Sequence, residues 1–202
     1  MTTATTAQRP AAQRLARYIT EATAPAISLV VLLPLVGWHA ARGTAAGLAW
    51  GLLATVFAAA IPMAYIVRGV RRGHITDHHV GVRQQRRTPL IVGLVSVSVG
   101  CVVMALLGAP RELLALLVAG IVGLVVSVTI SHWWKISLHT AVAAGSITIL
   151  VLVFGPLLLP LAVLLVPIAW ARVTLTDHTI AQVISGACVG TIIAATAFTA
   201  LR

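Results

Sequence analysis

Long, uninterrupted runs of apolar residues alternate with short polar stretches along this chain. Only helices and closed barrels satisfy their backbone hydrogen bonds inside a bilayer, and continuous runs favour helices because barrel strands alternate apolar and polar residues. The pattern predicts an all-α fold, a polytopic membrane helical bundle with about six to seven transmembrane helices. The apolar segments lie at residues 25–41, 46–67, 89–108, 113–130, 141–155 and 157–170, with a last one that ends near Ala200.

Composition supports the same class. Hydrophobic residues make up 59% of the 202 residues and charged residues only 9%, whereas soluble domains carry about 25% charged residues. We predict a polar tail over residues 1–21 and a single membrane domain over residues 22–202. The apolar run after the tail is too long for a signal peptide and has no clear cleavage site, so a cytosolic tail and a retained first helix are expected.

Three polar stretches, at residues 68–88, 131–140 and 171–178, hold nearly all the histidines. Pairs of apolar segments separate these stretches, so all three return to the same membrane face, where the N-terminal tail also lies. The positive-inside rule predicts that this face of a multi-pass plasma-membrane protein is cytoplasmic. The basic residues assigned to it are Arg9, Arg14, Arg17, Arg68, Arg71, Arg72, Arg83, Arg86, Arg87, Lys135 and Arg172.

The net charge of +10 has two interpretations. It can reflect the positive-inside rule together with attraction to anionic membrane lipid. It can also reflect a site for a phosphorylated substrate. Nucleic-acid binding is not expected, because the basic residues are juxtamembrane and lack interleaved aromatic residues on which bases could stack.

The third polar stretch has a spacing that favours an anion site. A helix that begins near Thr176 or Asp177 would bring His178 and Gln182, one turn apart, to the same face. His178 would then lie in the first turn, where free backbone N–H groups favour a bound anion. Arg172, just before that helix, could fold back onto the same anion.

Phosphoryl chemistry needs cations, a nucleophile and an acid, and the polar stretches supply each of them. Arginine and lysine bind phosphoryl oxygens, a neutral imidazole can attack phosphorus, and a second group can protonate the leaving oxygen. His178 and His139 are the candidates for the last two roles. No cluster of carboxylates is available for magnesium, so no metal or other cofactor is predicted. The candidate cations are Arg172, Lys135, Arg83, Arg86 and Arg87.

The segments 76–87, 135–139 and 172–182 resemble the three-part signature of the type 2 phosphatidic acid phosphatase superfamily of membrane lipid phosphatases, KxxxxxxRP, PSGH and SRxxxxxHxxxD. In the first segment His79 stands for the lysine, Arg86 matches the arginine, and Arg87 replaces the proline. His78 is an alternative to His79 in this position. The pattern Arg-x5-His, with Thr-Asp directly before the histidine, occurs at Arg72–His78 and again at Arg172–His178.

The second and third segments match more closely. Ser137 and His139 match the serine and histidine of the second motif, and Arg172 and His178 match the arginine and histidine of the third. Gln182 replaces the final aspartate, so it could fix the histidine tautomer but could not stabilise a developing cation. The analogous neutralisation in a serine protease costs about 10⁴ in rate.

The resemblance implies a role for each matched residue. His178 would form a phosphohistidine, His139 would protonate the leaving group, and Gln182 would orient His178. Asp77 and Asp177 are the remaining acids that could assist catalysis. The residues that would bind phosphate oxygens are Arg172, Ser137 and Arg86, with His79 in the position of the lysine.

Each assignment has a structural alternative. Arg172 and His178 could be a snorkelling pair at a helix end, and His139 could cap or bridge helices. The remaining alternatives are an interfacial anchor for Lys135 beside Trp133 and Trp134, an N-cap for Asp177, and an arginine ion pair for Asp77.

The function that these expectations favour is a metal-independent membrane phosphatase. It would hydrolyse an isoprenoid or glycerolipid mono- or diphosphate through a phosphohistidine. The alternative is a non-hydrolytic protein of the same fold that binds or transports anionic lipid, and a phosphotransferase that passes the phosphoryl group to another alcohol is a third. The expected partners are membrane lipid and a phosphorylated lipid substrate.

Overall fold

The computed structural model describes residues 10–78, 80 and 82–202, which form helices and no strand. The predicted all-α polytopic bundle is confirmed, because six helical segments in this part of the chain are long and apolar enough to cross a membrane, with α1 and α2 counted as one, and a shorter apolar helix accompanies them. The helices are α1 Ala11–Ala22, α2 Pro25–Ala40, α3 Ala45–Arg71, α4 Arg87–Leu106, α5 Arg111–Trp133, α6 Leu138–Phe154, α7 Pro156–Thr174 and α8 Ile180–Leu201.

Helix α1 covers the second half of the segment predicted as a polar tail and ends one residue beyond it. Its buried face carries Ala16 and Thr20, and the helix packs against the second half of α7. The connection to α2 is short. Pro25 opens α2 at a position where a missing backbone N–H costs nothing. Residues 11–22 therefore belong to the bundle.

Two membrane helices contain a π-helical turn. In α3 the turn spans Val56–Ala60 and Pro62 follows it, and in α8 the turn spans Ala194–Phe198. Such turns leave backbone carbonyls poorly paired. The hydroxyl of Ser96 on α4 donates to the carbonyl of Phe57 at 2.6 Å. A side chain of the neighbouring helix thus satisfies the backbone and ties α3 to α4.

Helices α6 and α8 approach so closely that their backbones touch. A Cβ added at Gly186 of α8 would lie 2.5 Å from the carbonyl oxygen of Ser137, and one added at Gly190 would clash with the carbonyl oxygen of Ala141. Small residues permit this approach, which is how membrane helices gain packing energy without a hydrophobic driving force between them. The contact holds the start of α6 against α8.

The connections α3–α4, α5–α6 and α7–α8 meet at one end of the bundle. Arg86 Nη1 donates to the carbonyl of Ile136 at 3.1 Å, and the N–H of Ser137 donates to the carbonyl of Gln182 at 3.3 Å. At the other end, Arg111 donates to the carbonyl of Leu201. The end at which these three connections meet is the common face predicted for the three polar stretches.

Candidate active site

Backbone conformation just after α7 brings Arg172 and His178 together. The carbonyl of Arg172 accepts from the N–H groups of both Asp177 and His178, each at 3.2 Å. Thr176 adopts the left-handed conformation with φ of 58°, which reverses the chain. The Arg-x5-His spacing is therefore the length of one compact turn, with both of its ends at the site.

Helix α8 begins later than predicted, at Ile180. Thr179 is its N-cap, and the side chains of Thr179 and Gln182 form a capping box. The expectation that the helix begins near Thr176 or Asp177 is thus wrong, and so is the N-cap role for Asp177. His178 precedes the helix and does not occupy its first turn. The Thr-x-x-Gln pattern in the sequence was the signal that could have located this start.

The imidazole of His178 is held through one nitrogen. Its Nδ1 lies 3.2 Å from the backbone carbonyl oxygen of Lys135 and 3.2 Å from Oε1 of Gln182. Both partners accept, because Oε1 also accepts from the N–H of Thr179 at 3.1 Å. Nδ1 must therefore carry the proton, and Nε2 keeps its lone pair in the neutral ring. The side chain is 5% exposed.

Nε2 of His178 is buried and has no hydrogen-bond partner within the described part of the chain. The pKa of His178 is lowered to about 3, first by burial and then by the charges of Arg86, Arg172 and Lys135, while the bond with Gln182 opposes the shift. The ring is therefore neutral at physiological pH. A neutral imidazole with an available lone pair can act as a nucleophile.

Arg172 is the largest fully buried side chain among the described residues, with 1% of its surface exposed. Its Nη2 pairs with Oδ2 of Asp177 at 3.0 Å, and 33% of the Asp177 side chain is exposed. Nε and Nη1 of Arg172 have no hydrogen-bond partner in residues 10–78, 80 and 82–202. Buried guanidinium groups normally have their N–H donors paired, so these two donors are available for an anion.

Arg86 brings a second buried cation to the same place. Its Nε donates to the carbonyl of Val80 at 2.9 Å, and its Nη1 donates to the carbonyl of Ile136. Burial, and then the charge of Arg172, lowers the pKa of Arg86 to about 10. The guanidinium remains charged at neutral pH, so two buried cations, Arg86 and Arg172, lie at this end of the bundle.

Lys135 is half-buried beside these cations. Burial is the main cause that lowers its pKa, and Arg86 is the next. Ser137 is fully buried at the N-cap of α6, and His139, also buried, lies in the first turn of that helix. Ser137 is tied to the site by its N–H, which donates to the carbonyl of Gln182, and His139 follows it in the same helix. Contacts and charge interactions bring together these predicted site residues: Arg86, Lys135, Arg172, Asp177, His178 and Gln182.

Other predicted residues lie elsewhere or are not described. Arg87 is exposed at the start of α4 and lines a separate surface cavity with Gln84 and His132. His78 is exposed and pairs with Glu21 at 3.1 Å. Asp77, partly buried, accepts from the hydroxyl of Thr76, and it remains within electrostatic reach of the site, because its charge opposes the lowering of the pKa of Arg86 and of Lys135. His79 and the side chain of Arg83 lie outside the described residues.

Two backbone features of the site were not predicted from sequence. The carbonyl of Lys135 accepts from the His178 ring, and the carbonyl of Ile136 accepts from Arg86. Both depend on the extended segment between α5 and α6, where side-chain identity gives no signal. Among the described residues no group of three His, Cys, Asp or Glu side chains is arranged to hold a metal ion.

No protein-family model, no curated protein and no solved structure matches this chain.

Proposed function

We propose that this protein is a metal-independent phosphatase that acts on a lipid phosphate through a phosphohistidine at Nε2 of His178. The observation that carries the proposal is the state of that ring. Nδ1–H is engaged by two acceptors, while Nε2 is buried, unprotonated and without a partner beside Arg172 and Arg86. A structural histidine normally uses both ring nitrogens, whereas a nucleophile needs one of them available.

In the first step, the Nε2 lone pair attacks phosphorus and the bond from phosphorus to the lipid oxygen breaks. The leaving oxygen takes a proton from His139, which must be protonated for this step. Nε and Nη1 of Arg172, with Arg86 and Lys135, bind the remaining phosphoryl oxygens as charge builds on them. The ring of His178 becomes cationic while it carries the phosphoryl group.

In the second step, water attacks the phosphohistidine. His139, now neutral, accepts the proton of the water, and the bond from phosphorus to Nε2 breaks. Inorganic phosphate leaves and both histidines return to their first state. The fully buried hydroxyl of Ser137, at the helix N-cap, supplies a further donor to the phosphoryl oxygens.

The substrate phosphate is proposed to approach from the cytoplasmic side of the plasma membrane. The end of the bundle that carries the site also carries most of the basic residues of the chain. Lysine and arginine in short connections between membrane helices concentrate on the cytoplasmic side. Reaction of a membrane-impermeant arginine reagent with Arg87 in inverted vesicles, and not in right-side-out vesicles, would support this orientation.

The test is phosphate release by the purified chain in nanodiscs with EDTA, from prenyl diphosphate, prenyl phosphate and phosphatidate. We expect turnover by the wild type, loss of turnover in His178→Ala, and near-normal turnover in His74→Ala, which alters an exposed histidine. His139→Ala should regain rate with an aryl phosphate, because a good leaving group needs no acid. Turnover that survives in His178→Ala would refute the mechanism.

The second candidate is a protein that binds or transports anionic lipid without hydrolysis. Gln182 favours it, because Oε1 is a neutral acceptor where catalysis profits from a carboxylate. Under this function the wild type and His178→Ala would both bind phosphatidate vesicles, and neither would release phosphate.

A further inference from the structure

A partly open apolar cavity of about 290 Å³ lies between α2, α3, α4, α5, α6 and α8. Along α6 its lining extends from Leu138 to Ile149, and along α5 from Ser127 to Leu116. Each of these stretches corresponds to about 16 Å at 1.5 Å per helical residue. The two helices run in opposite directions and give the same depth, so the cavity is elongated along the bundle.

One end of the cavity adjoins the candidate active site. Leu138, in the lining, lies between Ser137 and His139 in the sequence, and both of these are site residues. Pro89 and Leu90 of α4 also line the cavity and follow Arg86 within one helical turn. A molecule in the cavity would thus have its outer end beside the cations and its remainder in an apolar environment.

Two glycines of α5 leave this space open. Apart from the nearby backbone of α5 itself and the adjoining residues, no described protein atom lies within 4 Å of the position that a Cβ would take at Gly120 or at Gly123, and both glycines line the cavity. Gly186 and Gly190 of α8, by contrast, touch the backbone of α6. Glycine in a helix costs about 0.5–1 kcal/mol relative to alanine, and close helix packing does not account for this cost at positions 120 and 123.

We propose that this cavity holds the hydrocarbon chain of a single-chain lipid phosphate whose phosphate lies at Arg172, Arg86 and His178. The position of the phosphate rests on the proposed function. An apolar cavity of about 150 Å³ holds a benzene ring, so this cavity has room for about twelve carbon atoms. One chain fits, whereas the two chains of a diacyl lipid do not.

The cavity selects for chain length and chain number more than it adds affinity in the membrane. A chain that moves from lipid into the cavity exchanges one hydrocarbon environment for another, so the hydrophobic effect contributes little. A chain that moves from water gains about fourfold in affinity per methylene. The dependence on length is therefore measured most clearly outside a bilayer.

The experiment is calorimetric binding of a series of alkylphosphonates, from butyl to hexadecyl, to the full chain in amphipol. Phosphonates resist hydrolysis, so the measurement needs no turnover. In the wild type we expect affinity to rise about fourfold per methylene and to stop rising at about twelve carbons. Gly120→Leu places an isobutyl group in the deep part of the cavity, and the rise should stop about four carbons earlier.

Gly123→Val, nearer the site, should also bring the stop to a shorter chain, and it provides a second test if Gly120→Leu does not fold. Val125→Leu is the matched control, since Val125 is exposed on the same helix and does not line the cavity. The proposal is overturned if the affinity of the wild type rises with unchanged slope up to the hexadecyl phosphonate. It is also overturned if affinity stops rising at the same chain length in the wild type and in both glycine variants.

The two proposals fail in distinguishable ways. A stop near twelve carbons, with no phosphate released from dodecyl phosphate, would leave the chain-binding cavity standing and refute the phosphatase. Release of phosphate from dodecyl phosphate, with no stop in the phosphonate series, would refute the cavity and leave the phosphatase standing.

Discussion

Nδ1 of His178 lies 3.2 Å from Oε1 of Gln182, and the same oxygen accepts from the N–H of Thr179 at 3.1 Å. Gln182 therefore joins the start of α8 to the orientation of the candidate nucleophile. The amide fixes which ring nitrogen carries the proton, but it has no charge to offset the cationic ring of a phosphohistidine. The rate of phosphate release should consequently depend strongly on position 182.

Replacement of Gln182 by Glu should accelerate phosphate release. Glu keeps the length of the side chain and can also serve the capping box, since Glu and Gln both accept from the N-cap backbone. The carboxylate would stabilise the cationic ring, and we expect at least about a tenfold rise in kcat, within the roughly 10⁴ that a similar carboxylate contributes in a serine protease. Steady-state release of phosphate in EDTA measures it.

Thr179→Ala is the matched control for the capping box. It removes the acceptor for the N–H of Gln182 and costs about 1 kcal/mol of stability, but it leaves the contact between Gln182 and His178. Its kcat should stay near the wild-type value. A folded Gln182→Glu variant that is slower than the wild type would contradict this view of the site.

The lowered pKa of His178 predicts a loss of stability in acid. In the folded protein the pKa is about 3, against an ordinary 6.5. The unfolded chain therefore binds the proton first as the pH falls. The contribution is fully present above about pH 6.5 and is lost below it, by at most about 1.4 kcal/mol per pH unit, until the folded-state pKa is reached.

Thermal unfolding followed by tryptophan fluorescence in nanodiscs can test this. We expect the Tm of His178→Gln to depend less steeply on pH than the wild-type Tm between about pH 6 and pH 4. His74→Gln, which changes an exposed histidine, should keep the wild-type slope. Equal slopes in the wild type and His178→Gln would mean that His178 is not held in its neutral form by burial.

The helices could be predicted from sequence because a bilayer leaves few solutions for the backbone. In the described part of the chain, six helices are long and apolar enough to cross a membrane and a shorter apolar helix accompanies them, and the count of crossings brought residues 131–140 and 171–178 to one end. The turn between α7 and α8 could not be predicted in the same way. It depends on the left-handed Thr176 and on the capping box of Thr179, which outweighed the ability of Asp177 to cap.

The sequence also could not show which of two adjacent arginines, Arg86 or Arg87, is buried. Arg86 is buried with two backbone carbonyl partners, whereas Arg87 is exposed. Both have the same local composition, but Arg86 precedes α4 and reaches the carbonyls of Val80 and Ile136, whereas Arg87 is the first residue of the helix. Helix boundaries shift by one or two residues, so periodicity alone does not separate such neighbours.

Loss of the Lys135 proton at alkaline pH should weaken anion binding. Burial and the charge of Arg86 lower its pKa from the ordinary 10.5, so Lys135 loses its proton at lower pH than an exposed lysine. Affinity for inorganic phosphate should fall as this proton is lost and should fall less in Lys135→Arg. Calorimetric titrations from neutral to alkaline pH would show it. Arg87→Lys, which places a lysine at an exposed position, should leave this fall in affinity unchanged. An equal fall in Lys135→Arg would assign it to another group.

Asp177 competes with a bound anion for Arg172. Oδ2 lies 3.0 Å from Nη2, and the carboxylate is partly exposed, so the pair is partly screened by solvent. Asp177→Asn should strengthen the binding of inorganic phosphate by up to about fivefold and should lower the Tm, because a buried guanidinium loses its counter-ion. Glu112→Gln changes the net charge equally at the other end of the bundle and should leave affinity unchanged. Weaker phosphate binding by Asp177→Asn would show that Asp177 positions Arg172.

The close contact between α6 and α8 sets the geometry of the whole site, and one methyl group should disturb it. A Cβ at Gly186 would lie 2.5 Å from the carbonyl oxygen of Ser137 and 2.5 Å from the hydroxyl oxygen of Thr140. The helices would have to separate, which moves Ser137 away from the carbonyl of Gln182 and loosens the contacts of His178.

We therefore expect Gly186→Ala to cost about 1–3 kcal/mol of stability and to abolish most phosphate binding, measured by thermal unfolding and calorimetry. Gly120→Ala is the control, because the same methyl group meets no described protein atom within 4 Å there, apart from the nearby backbone of α5 itself and the adjoining residues. That variant should match or exceed wild-type stability, since alanine restricts the unfolded chain more than glycine does. If Gly186→Ala kept wild-type phosphate affinity, the α6–α8 contact would not be what positions the anion site.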